Sequence, residues 1–428
     1  MKSGCTLVLL LLTGIVHGTI PASERATLDS LYTNTVGPKW YNGVKGSDAW
    51  EGPAGSESGW FGITCEIDSV DPTIDHIVGV LLNNNNLGGT LPDLSGLIHL
   101  RSFVVGDNPL TGNLPQLTTL PSLEVFVADF TGCTGAIPSL AGLKYLKGFY
   151  VSNNQLSGQI PDLSDLKSLQ YFDIHNNSIG GNIPNLSSLG QLQIFYAYNN
   201  QLTGSIPSLS GLSNLQSVYL NDNQLDGVIP PLVGVGLNNL LAFYVDRNLL
   251  SGDFPSPAGL TTLVGLGAGS NRLTGSMPDL SGAPNLRYVF ANDNALTGEI
   301  PSLKALTELA VFDVTNNQLT GSIPPLTGLT SLIDFDVEKN QLTGPIPSLS
   351  GLASLQQFYV GYNSLTGTVP IFSGGLLISA SLCPNPLSTI PQPGVDPTWN
   401  KATGFAPWWA TPFATNECDE LFNDPFGT

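Results

Sequence analysis

The stretch NQLTGSIP, residues 200–207, returns along this 428-residue chain with a period of 23. Reading outward from it, an asparagine followed two residues later by Leu, then Gly, then Ile-Pro recurs from Ile77 to Pro370. The register asparagines are Asn85, Asn108, Asn154, Asn177, Asn200, Asn223, Asn248, Asn271, Asn294, Asn317, Asn340 and Asn363, with Thr131 in the one remaining slot. These thirteen units keep their spacing except for a two-residue insertion near Val233–Gly236. Fixed self-similarity of this length marks a solenoid, in which each unit contacts only its neighbours.

Each unit reads LxxLxxFxVxxNxLTGxIPxLSG, as in Leu329–Gly351, where Leu332, Phe335, Val337 and Leu342 fall at inward strand and turn spacings. One such unit cannot bury its apolar face alone, so the units must stack, each adding a strand to a continuous parallel sheet and a short return segment behind it. The asparagine sits where the chain leaves the strand. An amide there has donors and an acceptor for backbone groups that have lost their ladder partners. Thr131 has only a hydroxyl, which predicts the weakest link of that column. Five residues before each register position stand Phe103, Phe126, Phe149, Phe172, Phe195, Phe243, Phe312, Phe335 and Phe358, with Val or Leu in the other units. These form an apolar spine, with edge-to-face ring packing available to it.

The ends differ from the repeats. Lys2, the apolar run Leu7–Leu12 and the small residues near Gly18 read as a secretory signal over 1–18, and the run is too short to span a membrane. No other apolar stretch offers an anchor. Secretion places Cys65, Cys133, Cys383 and Cys418 in an oxidising compartment. Cys383 and Cys418 both lie beyond the last repeat and are read as a disulfide fastening a C-terminal cap over 374–428, while Cys133, at an inward leucine position, reads as a buried thiol. Asn176 and Asn185 head sequons for N-glycosylation. The formal charge is −19, from 33 acidic and 14 basic residues, which argues against nucleic acid as a partner and leaves a basic protein or a neutral glycan open.

Given the NxLTGxIP phrase, as in Asn317–Pro324, and an N-terminal segment running from Ser23-Glu24-Arg25 through Trp40 to Trp60-Phe61-Gly62-Ile63-Thr64-Cys65, the chain resembles the plant-type secreted leucine-rich repeat proteins. That group includes polygalacturonase inhibitors and receptor-like kinase ectodomains. The resemblance implies an α/β solenoid curved into a horseshoe, with a parallel sheet on its concave face and a 3-10 or irregular convex side. It also implies a helical N-terminal cap over 19–76, repeats over 77–373, and binding rather than chemistry. Two departures stand out: Ser58 and Gly59 occupy the place where the family's cap usually has another cysteine, which speaks against a cap disulfide at Cys65, and the units are 23 rather than 24 residues long.

Residues flanking the inward Phe and Val face solvent. On that face the repeats place Tyr150, Tyr171, Asp173, His175, Tyr196, Tyr198, Tyr219, Tyr244, Asp246, Tyr288, Phe290, Asp313, Asp336 and Tyr359. At parallel-strand spacing, Tyr196, Tyr219 and Tyr244 form a ladder about 10 Å long. Rigid aromatics with polar tips beside Asp and Asn suit recognition of a peptide or a sugar. Asp313, Asp334, Asp336 and Glu338 gather on neighbouring strands, where they could hold a basic partner or a calcium ion; no calcium-loop spacing accompanies them, and a solvated acidic patch is the more frequent outcome. The histidines are far apart in register, no nucleophile motif or metal cluster is present, and an open sheet does not enclose the paired carboxylates, so no enzyme, cofactor or metal is expected. The expected function is a secreted recognition protein binding an extracellular protein, including a polysaccharide-degrading enzyme, through the sheet face; the alternative is a matrix protein binding cell-wall glycan. The residues leave oligomeric state open.

Overall fold

A computed structural model describes residues 18–45, 49–375, 377–388 and 394–405. The leader assigned to 1–18, apart from its last residue, and Cys418 with its proposed disulfide lie outside these residues. The chain divides into two compact units, Met1–Thr134 and Gly135–Thr428.

The first unit opens with the helix Ala22–Asn34, which follows directly on Pro21. Its Glu24 is buried and ties the helix to the first repeat: one carboxylate oxygen accepts the Ile77 N–H at 2.7 Å and the other lies 2.7 Å from His76 Nδ1. Tyr32, Trp40, Trp50 and Trp60 pack as one aromatic block, with Trp40 and Trp50 centroids 4.9 Å apart. Large rings give this small cap a core that its few aliphatics would not. The strand Ile63–Ile67 pairs antiparallel with Asp75–Leu81, an exception to the expected all-parallel sheet, and Ser102–Val104 and Val125–Val127 follow in parallel.

The second unit carries eleven parallel strands from Gly148–Tyr150 to Ser379–Ser381. Successive coils pair without slippage: Phe172 faces Phe195, Phe195 faces Val218, and Val218 faces Phe243. All of these are buried. Within both units the phenylalanine rings lie nearly parallel, 5.5–5.7 Å apart and 12–17° from coplanar, instead of edge to face. Stacking by near-pure translation repeats each ring's orientation in the next coil. Each buried ring contributes about 1.5–3 kcal/mol through lost apolar exposure.

The asparagine column forms as hydrogen bonds in both directions. Asn200 Nδ2 donates to Ile174 of the preceding coil at 3.0 Å and to Ala197 and Tyr198 of its own at 3.3 and 3.2 Å, while its Oδ1 accepts the Ile179 N–H at 3.0 Å. In the threonine unit, Thr131 Oγ1 accepts from Cys133 N–H and donates to Ala128 O, both at 3.3 Å, and Leu110 N–H donates to Asn108 O. The column does not end with Asn363. Asn385 accepts the Leu365 N–H at 2.8 Å and donates to Val360 and Leu382, so repeat geometry runs past 373 into the segment read as cap.

The return side is more regular than expected. In place of a 3-10 wall, the LTG phrases form short parallel ladders such as Gly180–Asn182, Gln201–Ser205 and Gln224–Asp226. Each phrase needs a left-handed glycine, Gly204 at φ 71° for instance, to turn out of that ladder. The inserted residues near Val233–Gly236 make an extra turn on this side, and the sheet pairing of Tyr219 with Tyr244 is intact. A second helix, Asp396–Thr403, closes the described chain, its Trp399 fully buried, 6.0 Å from Phe358 and donating to Pro370 O at 3.1 Å.

Candidate functional site

Three-residue strands with a buried centre leave their two outer side chains on the solvent face, and residues two further on continue it. Tyr150 and Tyr171 stack at 6.2 Å, and Tyr171 Oη donates to Gln193 Oε1 at 3.0 Å. His175 Nδ1 lies 2.5 Å from Asp173 Oδ1, its Nε2 3.1 Å from Asn153 Nδ2, and its ring 4.4 Å from Tyr198. Donors and acceptors fit the tautomer with its proton on Nδ1, so both ring nitrogens are engaged and neither is presented as a base.

Tyr196, Tyr198, Tyr219, Tyr244 and Phe290 meet as one aromatic group. Tyr196 and Tyr219 are stacked at 4.6 Å and 23°, whereas Tyr244 stands edge-on to Tyr219 at 5.1 Å and 86°, and Phe290 lies 6.4 Å from Tyr244. The stacked faces cover one another and the last ring turns sideways. No coplanar platform for a sugar results.

What results is a hollow of about 520 Å³, lined by Tyr198, Tyr219, Asn221, Tyr244, Asp246, Arg247, Gly269, Ser270, Phe290, Asn292 and Asp313. Sequence reading passed over the glycines of one coil, which let neighbouring side chains lie across it: Gly269 lines the hollow, while Gly265 and Gly267 are covered by the Tyr244 ring and the Asp246 carboxylate. A Cβ on Gly265 would meet Tyr244 Oη at 2.1 Å, one on Gly267 would meet Asp246 Oδ2 at 2.5 Å, and one on Gly269 would meet Asn292 Oδ1 at 2.2 Å. Three glycines on the outward positions of one coil were the signal available: a gap in three side-chain columns at once.

Burial sets the electrostatics. It pushes Asp246 up to about 6, against a 2.8 Å hydrogen bond from Gly269 N–H that favours the charged form. It also raises Asp313, takes Asp334 to about 6 with help from Asp313, and takes Asp336 to about 7. Asp313 faces Asp336 directly across adjacent strands. Arg247 is committed to Asp222 through two contacts, Nη2 to Oδ2 at 2.9 Å and Nε to Oδ1. Tyr288 stands 5.8 Å from the Arg287 guanidinium, and Tyr359 sits across from Asp336, both outside the hollow. Asp336 lies beside the hollow without lining it.

Elsewhere, Glu24, His76 and His99 bring ligand-type atoms within 4.8 Å of one another. The two imidazoles stack at 3.8 Å and 28°, so their in-plane lone pairs do not converge, and both nitrogens of His76 are taken by Glu24 and Asp68. Cys65 makes no disulfide among the described residues, and burial followed by the charge of Asp75 pushes its thiol up to about 12. Burial likewise raises Cys133. Neither is an activated nucleophile.

Coils of this length with one parallel strand each and an asparagine column define a leucine-rich repeat solenoid. Family models described as Leucine Rich Repeat and Leucine Rich repeats (2 copies) match residues 168–189 and 191–234. Among solved structures, the chain is similar to PEPR1–AtPEP1 at 29% identity and TM-score 0.74, over 86% of this chain and 53% of that one. It is similar to a TDR receptor at 26% identity and TM-score 0.58, over 75% and 66%. It is also similar to the Arabidopsis receptor kinase HAESA ectodomain in complex with an N-terminally extended IDA peptide hormone ligand, at 28% identity and TM-score 0.50, over 65% and 56%. The chain thus spans about half to two-thirds of the length of these receptor chains. A search of curated proteins returns no match. The chain has a leucine-rich repeat fold similar to that of these structures. Among the described residues, no helix is long and apolar enough to cross a membrane.

Proposed function

We propose that this protein is a secreted, non-enzymatic recognition protein that holds an extracellular polypeptide across the solvent face of its sheet, with the hollow around Tyr244 as the anchor point. One observation carries the reading: an aromatic-walled depression on an otherwise open sheet, edged by carboxylates. Depressions of this kind seat one side chain of a partner, while the surrounding face supplies register. The similarity to the HAESA ectodomain, whose structure holds a peptide hormone ligand, supports a polypeptide ligand. Crossed and mutually covered rings weigh against a glycan platform.

Purified secreted protein, and a variant carrying Tyr219→Ala, Tyr244→Ala and Phe290→Ala, are used to capture partners from extracellular protein extract and from a cell-wall polysaccharide panel. The extract is chosen to contain polysaccharide-degrading enzymes. Protein capture by the parent and its loss in the variant is expected. Capture of polysaccharide that depends on the same three rings would replace this reading with matrix binding, and capture of protein that ignores them would move the site off the sheet.

A further inference from the structure

We propose that the occupant of the hollow is an arginine or lysine side chain of a basic polypeptide segment. The inference rests on the reading of the sheet face as the binding site and names the chemistry of its partner. Within the second unit, the three solvent-facing columns carry Asp173, Asp246, Asp313, Asp334, Asp336 and Glu338, and not one lysine or arginine. The whole chain has 33 acidic residues to 14 basic ones, so six carboxylates would ordinarily come with two or three cations. The nearest ones stand outside these columns: Arg247 lines the hollow but is paired with Asp222, and Lys339 acts on Glu338 from the next position along the chain. The face keeps a net negative charge.

Asp173 stands apart, against His175, and the other five acids occupy two places. Asp246 and Asp313 border the hollow itself, beside the rings of Tyr244 and Phe290. Asp334, Asp336 and Glu338 form a strip along the next strand and its continuation, where Asp334 Oδ1 and Glu338 Oε1 are shielded from solvent without a hydrogen-bond partner among the described residues. Carboxylate oxygens left in that state favour a donor brought in from outside. A cation beside aromatic rings gains from their quadrupoles, and a carboxylate within reach fixes its direction. The glycines of the neighbouring coil let Tyr244 and Asp246 lie across it and so reach their places in the lining. From Tyr150 to Tyr359 the face crosses nine strand spacings, roughly 43 Å, the span of an extended segment of about a dozen residues.

The test selects a displayed random 12-residue peptide library on the intact protein, with the triple-ring variant for counter-selection, and measures binding of the selected peptides to a second variant, Asp246→Asn with Asp313→Asn. Acetyl-arginine amide serves as competitor, and acetyl-citrulline amide, of equal shape without charge, as its control. Expected are peptides rich in Arg or Lys, at least tenfold weaker on the Asn variant, and displaced by the arginine but not the citrulline compound. Ring-dependent peptides without basic enrichment and indifferent to the competitor would overturn this inference and leave the sheet-face reading standing. Failure to select any ring-dependent peptide would overturn both. The competitor arm uses only the parent protein, so it decides even if a variant fails to fold.

Discussion

Asparagine is the only residue type that can serve the register position in full, because its amide reaches carbonyls of two coils while its oxygen takes an N–H of the preceding one. Asn317→Ala would leave three carbonyls and the Leu296 N–H without these partners; urea unfolding should show a loss of about 2–3 kcal/mol. Thr131→Asn should act oppositely, raising the urea midpoint by an amount equivalent to about 1 kcal/mol. A fall in midpoint would mean that the local closure through Ala128 and Cys133 is the better arrangement. Asp336 presents a different case. Burial holds its folded pKa near 7, far above the ordinary carboxylate value, so the folded form keeps a proton that the unfolded chain has already released. Stability is therefore lost as pH rises between about 4 and 7, with no contribution below that window. Asp336→Asn should stabilise the protein at pH 8, leave it unchanged at pH 4, and weaken binding of basic peptides. Thermal unfolding at the two pH values checks the sign, and equal effects at both would remove the buried-carboxylate account.

The repeated strand was legible because its code is short: one buried centre, two solvent neighbours, one asparagine at fixed distance. All of these recur identically enough to be counted. The hollow was not legible in that way, since it depends on Tyr244 turning edge-on to Tyr219 and on three side chains that are absent from one coil. Neither is a property of a column read one residue type at a time. Asn385 escaped for another reason. It follows Asn363 by 22 residues, and its phrase, Asn385-Pro386-Leu387-Ser388-Thr389-Ile390-Pro391, lacks the glycine and is one residue short of NxLTGxIP, so it fell outside the count of exact units. Local context also separates the two sequons. Asn176 has left-handed backbone at φ 54°, donates its amide to Asn153 Oδ1 and accepts from Asn199 Nδ2, both at 2.7 Å, within a second, outer ladder. Asn185 is exposed on the return side, with only its oxygen engaged by Ser187 N–H. Glycopeptide mass spectrometry of secreted protein should find Asn185 occupied and Asn176 bare; the reverse would mean that modification precedes closure of the ladder.

For the molecule as a whole, a formal charge of −19 adds long-range attraction to the short-range fit of a basic partner. Association of a basic 12-residue peptide should slow about tenfold between 50 and 500 mM NaCl while dissociation changes little, as stopped-flow fluorescence can record. A salt-independent on-rate would confine electrostatics to the hollow. The division of labour between the two sides of each coil has a practical corollary in the turn at Val233–Gly236. There the chain already accommodates two extra residues and still pairs Tyr219 with Tyr244 in register. Coil length is thus a free variable on the return side, and a short tag or reporter dye grafted at this turn would sit one coil from the hollow without displacing it, turning the protein into a sensor for its own ligand.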